Sequence, residues 1–190
     1  MPFSLSDVLV AALNITAGTF STPASLASGQ TLEIEPEHDT DQLRGYGVKT
    51  RLLSIPVGCK IKVGAGGIDF SVLAIMGGIS NYTSGLTPNQ KRRNRFPAGT
   101  SLPYFGAIGT CPTDDGGLMA IGLYACKLDK YPTFSNDGKE NKFNIWESEG
   151  YAIPFVISST YYLMIAREYE TPGDYTTPAD GTAFGAFFTG

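Results

Sequence analysis

The 190-residue chain carries 14 Lys and Arg against 18 Asp and Glu, a formal net charge of −4, and its length suits one sizeable core rather than two. An apolar fraction of 42% excludes a disordered chain, while a charged fraction of 17%, below the usual quarter, fits a protein that hides surface against partners. A net-negative balance is wrong for a dedicated nucleic-acid binder, and 23 Gly, 12 Pro, 10 Tyr and 11 Phe favour turns and pleated strands over long helices.

The N-terminal stretch MPFSLSDVLVAAL has no basic n-region, and Asp7 precedes only a short apolar run, so a signal peptide is not expected. No stretch approaches the roughly 18 apolar residues of a membrane helix, so no membrane is expected among the partners. In QTLEIEPE, Leu32 and Ile34 alternate with Thr31, Glu33 and Glu35, which predicts a strand with apolar side chains on one face and carboxylates on the other. The polar segment PEHDTDQLRGYG, 36–47, then predicts a long loop. A second half-buried strand follows, where Val57, Cys59, Ile61 and Val63 alternate with Gly58, Lys60 and Lys62. Its lysines also offer cross-strand partners to Glu33 and Glu35.

GGIDFSVLAIMGG predicts the one helix of the chain. Ile68, Val72, Ile75 and Met76 fall at helical spacing, Asp69 favours the first turn, and Gly77 with Gly78 ends it. The segment from 80 to 105 predicts a second long loop. It holds KRRNR, four of the fourteen basic residues within five positions: Lys91, Arg92, Arg93 and Arg95. Loops beyond about fifteen residues are uncommon in compact domains unless they have a job. LMAIGLYACKL and TYYLMIA are apolar on both faces, which predicts strands covered on two sides. Between them, KFNIWESEGYAIPFVI sets Trp146, Glu147 and Glu149 on a strand that leaves the core and returns, a pattern that suits a subunit contact. The tail ETPGDYTTPADGTAFGAFFTG is poor in charge yet carries Phe184, Phe187 and Phe188, predicting an arm that docks on the domain or on a neighbour. The expected architecture is therefore a mainly β, single-domain β-sandwich over 1–170, with one short flanking helix and long loops, followed by a C-terminal arm over 171–190.

Catalytic chemistry finds little footing. The single histidine, His38, lies in an acidic segment without a neighbouring Ser or Cys nucleophile. Cys59, Cys111 and Cys126 lack the close spacing of a zinc site and, being three, give no complete disulfide framework. SNDGKEN lacks the alternating carboxylates and closing Glu of a calcium loop, and a turn at Asp137 and Gly138 explains it. GAGG at 64–67 completes no phosphate-binding pattern and reads as a link from strand to helix. The sequons at Asn14 and Asn81 matter only after secretion. No enzyme, cofactor or metal is expected.

The order of the pieces is informative. NITAGTFSTP, the polar segment around LRGYG, a strand, IDFSVLAIMGG, a TSG turn, LPYFGAIG and the closely spaced strands of LYACKLDKYPTFSNDGKENKFNIWESEGYAIPF resemble a tailed-phage major tail tube protein. The resemblance spans roughly residues 8–168 and lies in order and spacing. It implies a small β-sandwich subunit with a helix on its flank, six copies forming a ring lined by a continuous β-barrel, and rings stacked into a tube for the genome. It further implies tape measure and terminator proteins as partners, passage of viral DNA without sequence-specific binding, assembly in the host cytoplasm and a place in the virion tail. The strong KRRNR block and the aromatic tail depart from that pattern.

On this reading Glu33, Glu35, Glu147 and Glu149 are candidates for the lumen wall, because an acidic bore lets a duplex slide where a basic one holds its phosphates. The basic block, Lys91, Arg92, Arg93 and Arg95, then belongs away from the bore. It is expected to meet Glu37, Asp39 and Asp41 of a neighbouring subunit between stacked rings. Two alternatives stay open: the tube of a related cellular injection system, and a carbohydrate-binding β-sandwich using Trp146, Tyr151 or Tyr162.

Overall fold

The computed structural model describes residues 7–26, 29–45, 48–65, 70–131, 133–134, 146–157 and 159–189. In chain order the strands begin with β1 (Asp7–Asn14), β2 (Thr19–Phe20), β3 (Ala24–Ser25), β4 (Gly29–Gly45) and β5 (Val48–Ala65). Helix α1 (Phe70–Gly77) leads to β6 (Ser80–Ser84), β7 (Lys91–Arg95), β8 (Phe105–Pro112), β9 (Leu118–Leu128) and β10 (Thr133–Phe134). β11 (Trp146–Ile153), β12 (Phe155–Ile157), β13 (Thr160–Tyr162), β14 (Ile165–Tyr169) and helix α2 (Gly181–Thr189) complete the chain. Among the described residues the fold is mainly β, as the alternating patterns predict.

One large antiparallel sheet runs in the order β2-β1-β8-β9-β11-β5-β4. β9 is its hub. β8 pairs along one edge, while the other edge is shared, β14 beside residues 118–122 and β11 beside 125–128. The doubly apolar sequence LMAIGLYACKL therefore sits between two covered faces, as expected. On one face Val8, Val10, Ile61, Val63, Phe105 and Leu123 pack with Val72 and Met76 of α1. Leu32 and Ile34 of β4 join the same core, and β4 comes against β1, so the layer is a single sheet rolled until its far strand meets its beginning. Gly78, with φ of 64°, ends α1 in the left-handed region that glycine adopts without steric cost. Ile68 and Asp69, expected at the start of this helix, lie outside the described residues.

The opposite face is closed by α2, a second helix where the sequence predicted only one. Asp180 caps it, its Oδ1 accepting from the backbone N–H of Ala183 at 2.8 Å. Phe184, Phe187 and Phe188 then recur at helical spacing and are buried against Leu9, Ala11, Ile108, Ala120 and Phe155. Burying each ring contributes about 1.5–3 kcal/mol. Two strand glycines make room for them: a Cβ on Gly106 would lie 2.6 Å from the Phe20 ring and 2.8 Å from that of Phe184, and one on Gly122 would run into Phe187 and Phe188. Arg167 on β14 donates to the Phe187 carbonyl at 2.6 Å, satisfying an end carbonyl of the helix, and its guanidinium lies 5.0 Å from that ring's centroid.

Three further expectations change. The polar segment 36–47 is no loop up to Gly45: β4 and β5 form one long hairpin, paired from Gly29 opposite Ala65 out to Gly45 opposite Val48. Residues 80–105 likewise contain the β6–β7 hairpin, in which Ser80 opposes Arg95 and Ser84 opposes Lys91. From residue 36 to 45 of β4, and along β6 and β7, backbone pairing proceeds without apolar alternation. TYYLMIA is not one doubly covered strand, because Thr160–Tyr162 is exposed and pairs with Phe155–Ile157, and the chain breaks before β14 takes its place on β9. The turn expected at Asp137 and Gly138 lies outside the described residues.

Candidate assembly surfaces

Pairing of β4 with β5 and β5 with β11 aligns charges across three strands. Glu33 opposes Lys62, which opposes Glu149; Glu35 opposes Lys60, which opposes Tyr151. These side chains, with Asp129, line a shallow groove of about 220 Å³ on the outer face of the sheet. All four carboxylates expected at a lumen are exposed, Glu33, Glu35 and Glu149 lining the groove and Glu147 outside its lining. The lysines opposite Glu33 and Glu35 were foreseen as partners, yet the ion pairs run diagonally, Lys60 to Glu37 at 2.9 Å and Lys62 to Glu147 at 3.5 Å. The hydrogen bond to Glu37, and then its charge, raise the Lys60 ammonium above its ordinary value. Four carboxylates against two lysines leave the groove acidic.

β5 pairs with β11 only from Cys59 to Ala65. Beyond that point β4 and β5 continue as a two-stranded ribbon, a structure marginal on its own in water. A register shift between Glu37 and His38 lets Val57 bulge. Val57 and Ile55 are each about half exposed, at 50% and 51%, in positions whose inward neighbours Cys59 and Ile61 are fully buried. Glu33, Glu35, Glu37 and Asp39 occupy alternate positions of β4, and Asp41 the next alternate position. In the backbone register Asp39 opposes Ile55 and Asp41 opposes Leu53, where Glu33 and Glu35 oppose Lys62 and Lys60. The sheet ends at β4, whose outer edge has no neighbouring strand among the described residues.

The basic block lies on the other exposed hairpin. Lys91, Arg93 and Arg95 alternate along β7 and are exposed; Arg92 stands between them on the strand. Opposite them on β6 are Ser84, Tyr82 and Ser80, with Tyr82 63% exposed. No carboxylate occurs from 70 to 113, and among the described residues Lys91, Arg93 and Arg95 make no ion pair. The hairpin is nevertheless held to the body: Asn81 Nδ2 donates to the Phe70 carbonyl at 3.0 Å, Tyr131 Oη donates to the Pro97 carbonyl at 2.7 Å, and Phe96 meets Tyr131 edge-on.

The remaining sequence candidates disperse. His38 is exposed on the ribbon opposite Pro56. Cys59, Cys111 and Cys126 are free and buried, and burial raises all three thiols. Tyr151 is half exposed beside the acidic groove, while Tyr162, on another hairpin, leans on Phe155. The sequence reading overlooked the β4 edge and the exposed pair Ile55 and Val57. The signal for the ribbon was the strict alternation of acids from 33 to 41.

No protein-family model and no curated protein matches the chain. Among solved structures it is similar to a chain of the anti-feeding prophage baseplate, seen by cryo-EM with six-fold symmetrisation, at 14% identity and TM-score 0.47 over 84% of this chain and 91% of that one. It is also similar to a chain of the PVC sheath–tube complex, an extracellular contractile injection system in its extended state, at 12% identity and TM-score 0.45 over 88% and 92%. A chain of the PVC sheath/tube terminator in the same state gives 12% identity and TM-score 0.46 over 88% and 97%. The two PVC neighbours are chains of an extracellular contractile injection system.

Proposed function

We propose that this chain is a structural, non-catalytic tail tube subunit. Six copies close into a ring, rings stack into a tube, and the tube conducts a phage genome. The observation that carries the reading is the outer edge of β4, a 17-residue strand that comes against β1 yet has no strand paired to that edge among the described residues. A long exposed edge is an aggregation hazard unless it has a partner, and a head-to-tail contact repeated by rotation closes a ring. Pairing along β4 would continue the sheet from copy to copy and set the Glu33, Glu35, Glu147 and Glu149 face toward the bore. A duplex presents a charge about every 1.7 Å, and an acidic wall makes no phosphate contacts to hold it. Tape measure and terminator proteins are the further partners this role calls for, and the virion tail is its location. The tube of a cellular injection system would use the same geometry with a different cargo.

Size-exclusion chromatography followed by negative-stain microscopy of the purified protein tests the reading. Six-fold rings or tubes support it. A protein that stays monomeric at high concentration and low salt overturns it, and retention of that monomer on a glycan column would instead favour a carbohydrate-binding module built around Tyr151.

A further inference from the structure

We propose that the β6–β7 hairpin of one copy docks on the projecting β4–β5 ribbon of another, with Lys91, Arg93 and Arg95 set against Glu37, Asp39 and Asp41. The inference rests on the self-association proposed above and names the surfaces that meet. Both charge series lie at alternate positions of a strand, so each repeats about every 6.6–6.8 Å. Three consecutive cations therefore match three consecutive carboxylates without distortion of either backbone. A basic strand with no carboxylate within its own segment from 70 to 113 meets an acidic one in a chain of net charge −4.

The end of the acidic series that is used is set by the register. Toward the body, Glu33 and Glu35 lie opposite Lys62 and Lys60, and Lys60 reaches Glu37 at 2.9 Å, so Asp39 is the first acid of the series beyond the lysines. Toward the tip, Asp39 has Ile55 across from it and Leu53 and Val57 on the diagonals, so no cation of β5 stands beside it until Arg51, opposite Leu43. Alignment of Arg93 with Asp39 has a second consequence. Tyr82 is the cross-strand neighbour of Arg93, and Ile55 that of Asp39, so the same alignment brings two exposed apolar side chains together. Exposed ion pairs contribute little singly. The apolar contact supplies burial, and the charges supply steering and register.

Cysteine pairing tests this directly, because the native thiols are buried. Asp39→Cys and Arg93→Cys proteins, each checked for an unchanged melting transition, are mixed under assembly conditions and oxidised gently. A disulfide between the two variants, about tenfold above that formed by either variant alone, supports the docking. Charge reversal is the second measurement. Arg93→Asp should raise the concentration needed for assembly at low salt by about tenfold, and the double variant Arg93→Asp, Asp39→Arg should bring it back. If the wild-type protein assembles but gives no 39–93 disulfide, or assembles indifferently to Arg93→Asp, the docking is wrong while self-association stands. A wild-type protein that does not assemble removes both.

Discussion

The body around β9 and the ribbon beyond Cys59 are built from the same kind of strand and reach opposite outcomes. Around β9 each face is covered from within the chain, by α1 on one side and by α2 with its three phenylalanines on the other. On the ribbon, Ile55 and Val57 are half exposed, carboxylates alternate along β4, and the outer edge of that strand has no neighbour among the described residues. Folding satisfies the first region. Among the described residues the second keeps apolar side chains and a strand edge uncovered, and on the proposed function the difference separates what stabilises the subunit from what assembles it.

If that division is right, damage to the body should be costly and damage to the ribbon silent until copies meet. The largest effect is expected from Gly122→Val, whose side chain would occupy the space of the Phe187 and Phe188 rings and lift α2 from the sheet. The loss should be about 3–5 kcal/mol, comparable with truncating a buried phenylalanine, and urea unfolding would measure it. Arg167→Ala removes the hydrogen bond to the Phe187 carbonyl and the contact with its ring, and should cost about 1–2 kcal/mol in the same assay. An unchanged midpoint would mean the helix end needs no such partner.

A smaller effect follows from Tyr175, which packs beside the α2 cluster with its hydroxyl buried and unpaired. Burial, then the charge of Asp7, raises its hydroxyl from 10.0 to about 12. The folded state thus keeps a proton that the unfolded chain releases. Stability from this group is complete below pH 10.0 and is lost as pH rises toward about 12. Thermal melts and tyrosinate absorbance across that window should show Tyr175→Phe to be less alkali-sensitive than the wild type. The smallest effect on the subunit is expected from Ile55→Asp with Val57→Asp, within about 0.5 kcal/mol, as for exposed positions. Assembly should nonetheless be abolished, visible as monomer in sedimentation. A large destabilisation of the monomer would show that the ribbon belongs to the core after all.

Much of the body was legible because hydrophobic period reports burial. Leu32 with Ile34, Cys59 through Val63, and LMAIGLYACKL all take the faces their patterns predict. Residues 36–45 of β4 and the β6–β7 hairpin read as loops in the sequence because neither stretch alternates apolar with polar residues. Their strands carry a charge period instead, Glu33 to Asp41 and Lys91 to Arg95, and alternation of charge indicates a strand as well as alternation of apolar residues does. α2 was hidden by composition, since Gly181 and Gly185 each weaken a helix by about 0.5–1 kcal/mol relative to Ala. Its signals were Asp180 at the cap and phenylalanines at 184, 187 and 188. The exposure of the acidic residues at 33, 35, 147 and 149 follows from strand alternation, but the diagonal pairs through Lys60 and Lys62 depend on side-chain reach across the sheet, which no linear pattern encodes.

Hydrogen exchange at single-residue resolution, on free and assembled protein side by side, tests the central distinction most directly. Amides on the outer edge of β4 should exchange quickly in the free subunit and slow by about a hundredfold or more on assembly, while those of β9 should be protected equally in both. Equal exchange along β4 in the two states, or protection already complete in the free subunit, would contradict the account.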